Sequence, residues 1–251
     1  MIAPLAPRRW AVVLISTAGL ALLPAPHASF GQEAACPTPE GFGASEATLP
    51  KTVKALTAAS DVVIVALGGS STLGSAAGGA NLSWPSRLGA VLAGRFPSAR
   101  VKVVNLATPR QTARDAVDRL AREVLPLRPT LLIWETGTVE AVHGTDVDDF
   151  RDTVQAGIDL LRAAGTEVVL MNAQFSRDTD AMIHFGPFLT TLRELADAND
   201  LPVFHRYGLM RYWAENGVLD LRTKDREDRR RLATRLYKCL GQSVADLVTR
   251  P

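Results

Sequence analysis

The sequence predicts an α/β fold: a three-layer α/β/α sandwich around a five-stranded parallel sheet. Three observations lead there. From residue 61 onward, short β-branched apolar runs alternate with longer segments of helical period. That order builds a doubly wound sheet with helices on both faces. The first run, Asp61–Leu67, is apolar nearly throughout rather than alternating, as strands covered on both faces are. It stops at Gly68 and Gly69 and is followed by Ser70, Ser71 and Thr72. This turn sets hydroxyls at the C-terminal end of a strand, the edge where ligands bind in open α/β sheets.

The elements follow in order. A short helix is expected over Lys51–Ala59, ahead of the first strand. Gly74–Ala80 reads as a Gly/Ala-rich loop, and Ser83-Trp84-Pro85 opens a helix to about Arg95. Pro85 suits a first helical turn, where its missing N–H costs nothing. Arg100–Leu106 is the second strand. Gln111–Leu125 carries Ala113, Val117, Leu120 and Val124 at helical spacing. Thr130–Trp134 is the third strand. Asp146–Ala164 is a helix closed by Gly165, a good C-cap. Glu167–Met171 is the fourth strand, Asp180–Ala198 a helix, Leu201–Phe204 the fifth strand, and Asp225–Val248 the last helix. No internal repeat or linker divides the domain.

The N-terminus reads as an export signal. Arg8 and Arg9 precede an apolar run from Trp10 to Leu23, then Pro24 and small residues. Such a run fits a secretory signal and is short for a membrane span. The expected organisation is a signal peptide over residues 1–31, an N-terminal segment with a short helix over 32–60, and the α/β domain over 61–251. The expected location is periplasmic or secreted, with no stable membrane span once the signal is removed. Without Arg8 and Arg9, the 28 basic residues fall to 26, equal to the 26 acidic ones. No basic block points to nucleic acid. The chain has two cysteines, Cys36 and Cys239. An even count in an exported chain predicts a disulfide between them.

Three segments at strand ends resemble one family. Gly68-Gly69-Ser70-Ser71-Thr72-Leu73-Gly74 resembles the first motif of the SGNH (GDSL-like) hydrolases, Gly-Asp-Ser-x-Thr-x-Gly. Asn105-Leu106-Ala107 follows the second strand, where the family carries Asn-x-Gly. Gly137-Thr138-Val139-Glu140 follows the third, where the family has Gly-x-Asn-Asp. The resemblance implies a flavodoxin-like sheet and acyl transfer to a serine. It implies Ser70 as nucleophile, with the Ser70 and Ala107 N–H groups as oxyanion donors. Gly69, Asn105, Gly137 and Glu140 then line the binding side.

The chain departs from the pattern at four places. Gly69 replaces the motif aspartate, and Ala107 the second-motif glycine. Val139 replaces the oxyanion asparagine, a type of donor whose loss costs about 3–4 kcal/mol in a serine protease. Asp220-Leu221-Arg222-Thr223 stands where Asp-x-x-His belongs, so the general base is missing. Three histidines are candidate replacements: His143 first, just after the third motif, then His184 and His205. Glu140 is a candidate to orient His143 or Arg110. The aromatic and basic run Arg206–Trp213 is a candidate cover for the site or a glycan contact.

Other chemistries lack their signatures. No histidine pair has metal-ligand spacing, and no lysine follows Gly74 as a phosphate-binding loop requires. The Gly-x-Ser-x-Gly elbow is absent, because Thr72 holds its last position. No cofactor is implied. The resulting expectation is an exported esterase acting on a small-molecule or glycan ester. The alternative is a catalytically inactive binding protein of the cell envelope that keeps the SGNH-type fold.

Overall fold

The computed structural model describes residues 36–39, 42, 47–223 and 225–250, all within the unit Ala35–Pro251. The expected signal at residues 1–31 lies outside the described residues.

The strands are β1 (Asp61–Leu67), β2 (Arg100–Asn105), β3 (Leu131–Glu135), β4 (Glu167–Met171) and β5 (Val203–Phe204). They form one sheet in the order β2-β1-β3-β4-β5. Each neighbouring pair is parallel. The helices are α1 (Pro50–Thr57), α2 (Ser70–Leu73), α3 (Trp84–Arg95), α4 (Ala113–Arg119), α5 (Thr138–His143), α6 (Val147–Ala163), α7 (Arg177–Asp180), α8 (Gly186–Asn199), α9 (Arg206–Glu215) and α10 (Arg226–Val248). The expected five-stranded α/β/α sandwich is the one observed.

Successive strand side chains point to opposite faces, so each apolar run feeds two cores. Ile64, Ala66, Leu131, Ile133, Val169 and Met171 face one side, against Leu56, Trp84, Leu88, Trp213, Leu240 and Val244. Val65, Leu67, Leu132, Trp134, Val168 and Leu170 face the other, against Ala116, Phe150, Ile158 and Leu192. Each such large side chain contributes about 1.5–3 kcal/mol by leaving water. Gly241 lets α10 approach α3 closely, since a Cβ there would lie 2.5 Å from Arg87 Cβ and 2.9 Å from Leu88 N.

Local chemistry moved several boundaries. Helix α4 starts at Ala113 because Thr112 caps it reciprocally with Asp115. Asp225 likewise caps α10 by accepting from Glu227 N and Asp228 N. Strand β5 shrinks to two residues; Pro202 just before it has no N–H to give a ladder. The expected helix over Asp180–Ala198 divides into α7 and α8, the second restarting at Gly186 with Pro187 in its first turn. The carboxylate of Glu167 caps α1 from β4, accepting from Lys51 N and Thr52 N at 2.8 Å each.

The expected disulfide is present. Cys36 and Cys239 are bridged, with Cα atoms 5.4 Å apart across 203 residues of sequence. It holds the N-terminal strap to α10. Trp213 Nε1 also donates to Pro37 O at 2.8 Å, and the Thr38 and Ser243 hydroxyls pair at 3.0 Å. Among the described residues no helix is long and apolar enough to cross a membrane.

Candidate functional site

The sheet order puts the change of winding direction between β1 and β3. In sheets of this order, ligands bind outside the C-terminal ends of those two strands. The turn after β1 and the end of β3 are joined here by one buried carboxylate. Glu135, the last residue of β3, is 5 % exposed. Its Oε2 accepts from Gly69 N at 3.2 Å, Ser71 Oγ at 3.1 Å and Thr72 Oγ1 at 2.6 Å. Its Oε1 lies 3.6 Å from Nη1 of Arg206, which is fully buried. Arg206 also donates to Ser71 Oγ at 2.9 Å and to Gln174 Oε1 at 3.3 Å. Trp84 Nε1 donates to Thr72 Oγ1 at 3.2 Å. A buried charge pair costs desolvation unless hydrogen bonds satisfy it. Here hydroxyls and a backbone N–H do so for Glu135.

Gly68 is required by this closeness. A Cβ there would lie 2.6 Å from Thr72 Oγ1 and 2.7 Å from Glu135 Oε2. At Gly69 a Cβ would meet nothing within 4 Å, so the glycine in the motif's aspartate position is not forced by space.

Ser70 opens α2 and is exposed. Among the described residues its hydroxyl makes no hydrogen bond, unlike those of Ser71 and Thr72. Asn105 closes the neighbouring side. Its Nδ2 donates to Thr72 O at 2.8 Å, and its Oδ1 accepts the Ala107 N–H at 3.1 Å. The Ala107 amide is therefore engaged by the Asn105 carboxamide.

Gly137 caps α5 in the left-handed region, φ +89°. Its N–H donates to Glu140 Oε2 at 3.0 Å, and Ala113 N donates to the other oxygen. Glu140 thus ties the start of α5 to the start of α4. Both its oxygens are committed to backbone amides, and no bond joins it to His143 or Arg110. Burial pushes its carboxyl above the usual range, against those amides; the nearby Glu135 charge adds to the rise.

The three histidines lie apart from this network. His143 ends α5 and His184 precedes α8; both are exposed. Among the described residues, neither makes a hydrogen bond. His205 caps α9 and is half-buried. Burial lowers its pKa, and Arg193 adds to the fall, while Asp197 opposes it. Thr223 sits in the loop ahead of α10.

Glu135 is a site residue that sequence reasoning missed, and Arg206, expected only as part of a run covering the site, is instead its buried partner. A signal existed for the first: Glu135 ends Leu131-Leu132-Ile133-Trp134-Glu135, a run buried at every position. A charge closing such a run needs a partner. Arg206 carries no comparable signal, because its burial depends on where α9 lands.

The comparisons with known proteins agree with this architecture. A two-domain esterase active on acetylated mannans shares the fold, with TM-score 0.66 and 17 % identity over 82 % of this chain and 55 % of that one. An α/β hydrolase enzyme from the metagenome of Lake Arreo, Spain, aligns with TM-score 0.60 and 19 % identity over 76 % and 97 % of the two chains. An acetyl xylan esterase aligns with TM-score 0.54 and 20 % identity over 70 % and 98 %. Proteins described as GDSL-like also share the fold. No curated protein sequence matches this chain. The model of the Non-GDSL lipase-like family matches residues 35–251. The chain belongs to the Non-GDSL lipase-like family, and its fold is that of the SGNH-type hydrolases.

Proposed function

We propose that this protein is an exported ester hydrolase that removes a small acyl group from an O-acylated substrate, with Ser70 as nucleophile. The observation that carries this reading is the setting of Ser70. Its hydroxyl is exposed and uncommitted at the β1/β3 switch point, on a turn held by Glu135. The reading draws further support from relatives of the same fold that act on acetylated mannans and acetyl xylan. A carbohydrate ester is therefore the substrate class.

Ser70 Oγ attacks the ester carbonyl while its proton passes to a base. The oxyanion accepts from the Ser70 N–H and from the Ala107 N–H, which leaves Asn105 Oδ1 to do so. Collapse breaks the C–O bond, and the alcohol leaves with the proton. Water then cleaves the acyl-serine to release the acid. The base role is assigned to His143.

Intact-mass analysis after treatment with a fluorophosphonate tests this. One adduct is expected on the wild type and none on Ser70→Ala. His143→Ala is expected to slow labelling about 10²–10⁴-fold, the usual range for a general base. A second reading, a non-catalytic envelope binding protein, is favoured by the absence of any hydrogen bond between Ser70 and an imidazole among the described residues. A folded wild type that takes no adduct would select it.

A further inference from the structure

A set of donors without protein partners among the described residues lies at the other end of the sheet's C-terminal edge. It surrounds a pocket of about 360 Å³ where β4 and β5 end. Strand β5 is three positions from β1 in the sheet, about 14 Å at ordinary strand spacing.

Asn172 follows β4 and is 5 % exposed. Its Oδ1 accepts the Tyr207 N–H at 2.9 Å. A backbone donor can pair only with the carbonyl oxygen, so this bond fixes the carboxamide and turns Nδ2 the other way. Nδ2 finds no acceptor among the described residues, although Asn172 lines the pocket. Gly208 lies in the first turn of α9, where amides have no intrahelical partner. Its N–H has none among the described residues either. Arg193 of α8 lines the same pocket and makes no ion pair among those residues. The remaining walls include Phe42 and Leu189. Phe42 packs so tightly that a Cβ on Gly208 would lie 2.7 Å from its ring.

We infer that this pocket binds a small organic monocarboxylate, its carboxylate held by Arg193, Asn172 Nδ2 and the Gly208 N–H and its body against Phe42 and Leu189. One guanidinium matches one negative charge. The helix N-terminus adds a second attraction for an anion. The apolar walls ask for a body that inorganic phosphate lacks. The pocket volume, at the low end for ligand sites, limits that body to about one ring. The inference does not depend on Ser70 being a nucleophile.

The charged groups facing His205 are Arg193 and Asp197, both on α8. A bound carboxylate offsets Arg193, so it raises the His205 pKa. This supplies a readout that does not depend on activity.

The test is NMR titration of the isotope-labelled, disulfide-intact protein with benzoate, hexanoate and glucuronate, with glucose and inorganic phosphate beside them. The expected result is saturable shifts at the Gly208 amide and the Asn172 side-chain amide with at least one carboxylate, together with a rise in the His205 pKa. Arg193→Gln, at an exposed position, is expected to weaken binding about tenfold or more, the scale of one charge-assisted hydrogen bond. Arg151→Gln, on α6 and paired with Glu194, is expected to leave it unchanged. The inference is overturned if no carboxylate shifts these signals, if phosphate or glucose binds as tightly, or if Arg193→Gln binds like the wild type.

Discussion

The two ends of the sheet's C-terminal edge treat polar groups in opposite ways. At the β1/β3 end, Glu135 and Arg206 close on Gly69, Ser71 and Thr72, so that Ser70 alone of the turn's hydroxyls is left uncommitted. At the β4/β5 end, the Asn172 side-chain amide, the Gly208 N–H and the Arg193 guanidinium have no acceptors among the described residues. The first region is a network closed around the Glu135 carboxylate, with Arg206 Nε and Gln111 Nε2 left without partners among the described residues, and it fixes a backbone shape. The second is a set of donors that awaits an acceptor. Rigid support and open binding capacity are separate properties, and this molecule places them about three strands apart.

The sharpest way to break that contrast is to remove the carboxylate. Glu135→Ala leaves Arg206 buried without its charge partner, and unfolding in urea should show a loss of about 3–5 kcal/mol. Replacing both residues with Leu and Met should recover much of that loss, because a well-packed apolar pair avoids the desolvation cost. A loss under about 1 kcal/mol for Glu135→Ala would mean that solvent reaches the pair.

Opening the Cys36–Cys239 bridge should cost about 2–5 kcal/mol on general experience with native disulfides. Reduction should act unequally on the two regions. It frees the strap that carries Phe42, a wall of the second pocket. Carboxylate binding should therefore weaken under reductant, while fluorophosphonate labelling of Ser70 persists. Equal loss of both would show that the bridge supports the whole fold rather than one end of it.

The smallest effect concerns Glu140. Its folded pKa is raised, with burial the leading cause. A carboxyl raised in the folded state contributes stability that is present at low pH and lost as pH rises through the folded value. Glu140→Gln cannot titrate, so its stability relative to the wild type should improve from pH 4 to pH 7. Parallel denaturation curves at the two pH values measure this, and a difference of the opposite sign would mean that the backbone amides at Gly137 and Ala113 outweigh burial.

Much of the fold was legible in the sequence. Apolar strands such as Asp61–Leu67 and Glu167–Met171 announced themselves because a strand buried on both faces has almost no polar positions. The start of the last helix at Asp225 was legible, whereas the cap at Thr112 was less so, since one or two residues decide where a helix starts. The strand-end placement of Ser70, Asn105 and Gly137 came from the motifs. What those residues bond to did not. Asn105 donates to Thr72 O, and Glu140 bridges two helices, because these partners come from elements distant in sequence.

The sequence by itself determined the alternation of strands and helices, the pairing of two cysteines, and the serine turn at the end of β1. Each of these follows from local pattern or from simple counting. Only the tertiary structure decided that Glu135 would meet Arg206, 71 residues further on by their numbers, and that the Asn172 carboxamide would accept from the Tyr207 amide. Burial of a charge is a property of the assembled layers. It depends on how the helices pack across the sheet edge, and no local run of residues encodes that distance.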